Sequence, residues 1–148
     1  MIDTPVLYSS LENFEKFSAN YAQRNQALSL VEQLNQLVEA VQNHRGISMG
    51  MLAGNKVYEK EFYSLQKELE RRLATLEAFA SLTGDILSQR DKENLNYAWN
   101  TVRHDWQEDD VGDNFELHSH FIDQLQGMIL ALSRKMEAPL VEGYSEQD

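Results

Sequence analysis

Apolar residues recur at helical spacing along almost the whole chain, and no proline falls between Pro5 and Pro139. A proline inside a helix removes a hydrogen bond and clashes with the preceding turn, at about 3 kcal/mol. A chain free of that penalty throughout its interior is suited to long helices and poorly suited to a turn-rich β fold. The spacing predicts four helices. Leu11, Phe14, Phe17 and Tyr21 form a first stripe, with Ser9 or Ser10 as its N-cap. The stripe continues through Leu28, Val31, Leu34, Leu37, Val38, Val41, Met49 and Leu52. The pattern leaves open whether it breaks near residues 20–25 or runs on as one helix. Gly54-Asn55 reads as its stop, since both residues tolerate the left-handed conformation of a C-cap.

A second helix is expected from about residue 57, carrying Phe62, Leu65, Leu69, Leu73, Leu76, Phe79 and Ala80, with Thr83-Gly84 ending or kinking it. A third covers about 91–106, with Leu95, Trp99, Val102 and Trp106 on one face. A fourth covers roughly 113–137, with Leu117, Phe121, Leu125, Met128, Leu132 and Met136 inward, and Pro139 closing it. Four amphipathic helices with short connections predict an all-α, antiparallel up-down four-helix bundle. The 148 residues are expected to form one domain, with 1–8 and 138–148 fraying at the ends.

Charge narrows the function. The 24 acidic and 13 basic side chains leave a formal net charge of −11, which repels nucleic acid and anionic membrane surfaces. No apolar run approaches a membrane span and the N-terminus lacks a signal-peptide pattern, so a soluble, cytoplasmic location is the expectation. No cysteine is present, which excludes disulfides and thiolate chemistry. There is no GxSxG, no phosphate-binding loop with its lysine and no HExxH, so the chain is read as a non-enzyme with no cofactor. His118 and His120, two apart on a helix, face different directions and cannot share a metal. Glu116 and His120 lie at i,i+4, but the paired Glu-x-x-His pattern of a di-iron bundle is missing. Each of the four histidines reads as an exposed or hydrogen-bonded side chain. The acidic run Asp105, Glu108, Asp109 and Asp110 reads as a solvated loop.

The stretch HRGISMGMLAG, residues 44–54, stands out. Gly46, Gly50 and Gly54 recur at steps of four, although each helical glycine costs roughly 1 kcal/mol relative to alanine. Such a ridge either packs tightly or clears space for close approach to the backbone. Stepping back from Arg45 by fours and threes meets Val41, Val38, Leu34 and Val31, which places the guanidinium on the apolar face. The inward stripes of the other helices contain no obvious carboxylate to answer it. An anion then becomes a natural partner, with Ser48 as an added donor, unless Arg45 reaches the bundle end or an acid on another face.

The run Gln42-Asn43-His44-Arg45-Gly46-Ile47-Ser48-Met49-Gly50-Met51-Leu52 resembles the helix signature of nitrate- and nitrite-sensing domains of the NIT type. Arg45, Gly46, Ser48, Gly50 and Leu52 match its RG-x-S-x-G-x-L pattern, while His44 stands where the family usually carries an acid. The run 115–132 also resembles the closing helix of such a bundle. The resemblance implies a small-anion sensor in signal transduction, with Arg45, Ser48, Gly46 and Gly50 at the anion. It also implies a second arginine, for which Arg103 is the best in-chain choice; a second subunit's Arg45 is the alternative. Family members usually carry two bundles and an output domain. The expected partners are therefore a small inorganic anion and a homodimer or helical partner protein, with no nucleic acid and no membrane. A competing reading is a protein-interaction or dimerisation bundle without a small ligand, in which Arg45 finds a carboxylate.

Overall fold

The computed structural model describes the backbone of residues 4–84 and 86–147 and the side chains of 10–84 and 86–136. Helix α1 spans Thr4–Leu52, α2 Glu59–Leu82, α3 Gln89–Arg103 and α4 Val111–Gln147, with a short 3₁₀ turn at Trp106–Glu108. The chain is all-α and forms a four-helix bundle. Contacts between successive helices run in opposite register. Gln36 meets Arg72 while His44 meets Phe62; Lys92 reaches Ser81 while Arg103 reaches Glu70. His44 pairs with His118 and Ser48 with Asn114, so α4 also descends as α1 rises. Among the described residues no helix is long and apolar enough to cross a membrane.

The helix ends follow local chemistry. Gly54, at φ +100°, lets Asn55 N–H bond the Gly50 carbonyl and Gly54 N–H bond the Met51 carbonyl, the paired closure of a Schellman motif. Gly84, at φ +81°, follows the end of α2, where Thr83 Oγ1 donates to the Phe79 carbonyl. Ser88 caps α3 by accepting from Asp91 N–H, and Asp110 accepts from Asp113 N–H at the start of α4.

Several boundaries differ from the sequence expectation. The chain is one helix from Thr4 to Leu52, so Ser9 and Ser10 lie within it and not at its start. Asp105 takes a left-handed conformation (φ 48°) just after α3, so Trp106 enters the core from the 3₁₀ turn rather than from the helix. Helix α4 starts two residues early because Asp110 caps it, and it continues through Pro139, which therefore does not close it. A proline there forfeits one backbone bond, and the bonds on either side carry the helix onward.

The core is a set of stacked layers. On α1 a buried seam of Ala27, Leu30, Leu34, Leu37, Val41, His44 and Ser48 alternates in steps of three and four, flanked by buried Val38 and Ala40. On α4 they include Asn114, His118, Phe121, Leu125 and Leu132. This is the seam spacing of packed bundles, where each residue fills a gap between facing side chains. The first stripe does not join it. Leu11, Phe14, Phe17 and Tyr21 are 49–68% exposed, and every side chain from Ser10 to Gln23 is exposed.

Candidate functional site

The seam turns polar toward one end of the bundle. His44, Ser48, Asn114 and His118 are all fully buried, and the His44 ring lies against Phe62 of α2 and Trp99 of α3. His118 Nδ1 lies 2.7 Å from the Asn114 carbonyl, which can only accept, so His118 carries its proton there. His118 Nε2 is then a bare acceptor. His44 Nδ1, 2.7 Å away, must be the donor to it. In the neutral state both rings are then Nδ1–H tautomers in one directed chain, from His44 to His118 to the α4 backbone.

The surroundings hold them neutral. Burial pushes His44 from its ordinary 6.5 down to about 3, and the neighbouring His118 adds to that. Burial likewise lowers His118 to about 4; its bond to the Asn114 carbonyl opposes the fall, and the positive charge of Arg45 assists it. Three buried polar atoms in these layers have no hydrogen-bond partner: His44 Nε2, Trp99 Nε1 and Asn114 Oδ1.

Arg45 flanks this pair. The seam runs through His44 and Ser48, one residue to the side of the path traced back from Arg45, so the apolar-face placement expected for Arg45 belongs to His44. Arg45 is half-buried at the α1–α4 edge. Its guanidinium lies 4.8 Å from the Phe115 ring centroid, and Nη1 donates to Ser119 Oγ at 3.0 Å. Among the described residues no carboxylate lies within ion-pair distance of it.

The other sequence candidates lie elsewhere. Ser48 Oγ donates its one proton to the Arg45 carbonyl at 3.0 Å and accepts from Asn114 Nδ2 at 2.8 Å, so it ties α1 to α4 inside the core. Gly46 and Gly50 border a groove between α1 and α2, with Gln42, Asn43, Tyr58 and Glu61. A Cβ at either glycine would meet nothing within 4 Å, so no helix or side chain uses the space. Arg103 is exposed and pairs with Glu70 of α2 at 3.5 Å; it does not join Arg45 at the α1–α4 edge. Among the described residues no group of three or more His, Asp or Glu is placed to hold a metal. The acidic run is engaged locally: Asp110 caps α4, and burial followed by its acidic neighbours raises the Asp109 carboxyl.

The residues that sequence reasoning missed as a unit are His44 and His118. The sequence sets His118 beside His120 and does not connect it to His44. The signal was the three-four seam, on which His44 follows Val41 and His118 precedes Phe121. No family model, curated protein or solved structure matches the chain.

Proposed function

We propose that this bundle is a non-enzymatic sensor of a small planar anion such as nitrate or nitrite, acting in signal transduction, with Arg45 as the anion anchor. The observation that carries the reading is a half-buried guanidinium with an aromatic face beneath it, a neutral hydroxyl as acceptor and no carboxylate partner among the described residues. A guanidinium in that condition retains donors that suit a planar oxyanion. Ser119 Oγ accepts from Arg45 and keeps its own proton to donate. The anion-binding pair is therefore Arg45 with Ser119, rather than Arg45 with Ser48, Gly46, Gly50 or Arg103.

The signal follows from chain adjacency. Arg45 and Ser119 are each one residue from the buried partners His44 and His118, so an anion drawing the surface pair together acts directly on that inter-helix bond. It also offsets the positive charge that disfavours a proton on His118. The ligand shifts the α1–α4 arrangement only to the extent that it binds one arrangement better.

The test is thermal unfolding with nitrate, nitrite and chloride at matched ionic strength. A ligand specific to the folded state adds about 2.7 kcal/mol at a hundredfold excess over its dissociation constant. A rise specific to nitrate or nitrite, lost in Arg45→Ala and kept in Arg103→Ala, is the expected result. Equal responses to all three salts would overturn the reading.

A further inference from the structure

Helix α1 carries two apolar faces. The buried seam from Leu30 to Ser48 meets the other helices. At 100° per residue, Phe14, Phe17, Tyr21 and Leu28 lie about 160° from that seam, on the side of α1 turned away from the bundle. Continuing the seam backward from Ala27 meets Gln23, Asn20, Lys16 and Asn13, so the face aligned with the core turns polar just where the outward face turns aromatic. The four apolar side chains are 50–68% exposed, and Phe17 and Tyr21 stack at 6.4 Å between ring centroids. A single helix with every side chain exposed from Ser10 to Gln23 is marginal in water and gains most of its stability from packing.

We propose that this face docks a second copy of the chain through the same surface, forming a two-fold dimer along the N-terminal half of α1. Charge selects that occupant. Residues 4–28 contain Glu12, Glu15, Lys16 and Arg24, two acids and two bases, so the entire net charge of −11 resides on the rest of the chain. Two strongly acidic bodies repel where they approach, and this neutral segment is where copies meet without that penalty. Lys16 and Arg24 alone are too few cations to favour an anionic lipid surface. The size is adequate for self-association. Phe and Tyr bury roughly 150–250 Å² each, so three of them on each of two copies, with the leucines, reach the order of 1,000 Å² expected of a small specific interface. The face is self-complementary, as a two-fold contact requires: equal apolar side chains meet, and Arg24, between Tyr21 and Leu28, is the one charge that borders them. The inference is independent of the anion reading.

The experiment is sedimentation velocity of the full chain across a concentration series, at low and high salt. The expected result is a monomer–dimer equilibrium that tightens with salt as repulsion between the acidic bodies is screened. The triple variant Phe14→Ser, Phe17→Ser, Tyr21→Ser should weaken dimerisation at least tenfold while its near-ultraviolet circular dichroism from Trp99 and Trp106 stays unchanged. Because the chain has no cysteine, Phe17→Cys supplies a second reading: it should form a disulfide-linked dimer under mild oxidation, whereas Glu39→Cys should not. A wild type that stays monomeric throughout the series would overturn the proposal. So would a dimer that the triple variant leaves intact.

Discussion

His44 and His118 are held neutral by burial, and that condition makes the bundle acid-sensitive. Both folded-state values lie below the ordinary 6.5, at about 3 and about 4. The unfolded chain therefore takes up protons that the folded chain refuses. Their contribution is fully present above about pH 6.5 and is lost as pH falls toward 4. Two such groups predict a loss of about 4 kcal/mol between about pH 7 and about pH 5, measurable by urea unfolding at each pH. His44→Leu combined with His118→Leu should flatten that interval, because it removes both titrating groups together and leaves neither imidazole without its partner. His118→Ala alone should destabilise at neutral pH by about 2 kcal/mol or more, because His44 keeps its buried polar atoms without a partner. A double variant that kept the full acid sensitivity would assign it to other groups.

At the scale of elements, the glycines separate by conformation. Gly54 terminates α1 with a positive φ that side chains rarely adopt, whereas Gly46 and Gly50 sit in ordinary helix with open space where a Cβ would lie. Gly54→Ala should cost about 1 kcal/mol. Gly46→Ala and Gly50→Ala should each raise stability by roughly 0.5–1 kcal/mol, as helical alanine does in place of glycine. Thermal unfolding of the three variants decides this; destabilisation by the helical pair would reveal a close approach at that groove. Helix α1 also explains why periodicity alone misassigned part of the core. Its apolar residues keep helical spacing from Leu11 to Leu52 while moving from one side of the helix to the other. Spacing records that a face exists, not which neighbour covers it.

Across the whole molecule, packing is concentrated between Ala27 and Leu132, and the N-terminal half of α1 projects beyond it. Leu34→Ala, at a fully buried position, should cost 2–5 kcal/mol in denaturant unfolding. Amide exchange should be slow over Leu30–Ser48 at every protein concentration. Over Ser10–Gln23 it should be fast in dilute solution and slow as copies associate, since those amides gain protection only from an added partner. Four helices, their approximate limits and most of the core were legible in the residues themselves. Helical periodicity, the near-absence of proline, and stop residues such as Gly54 act locally, and local signals survive without a third dimension. The site was not legible in that way. Arg45 and Ser48 are three apart in sequence, yet one lies at a half-buried edge and the other inside the core, because the seam passes through His44. His44 and His118 are 74 residues apart and become a pair only when α1 and α4 run antiparallel in one register. Composition, spacing and caps determined that the chain makes a helical bundle. Only the tertiary register decided which of its polar residues are buried together, that Arg45 has no carboxylate in reach among the described residues, and which apolar face of α1 turns away from the other helices.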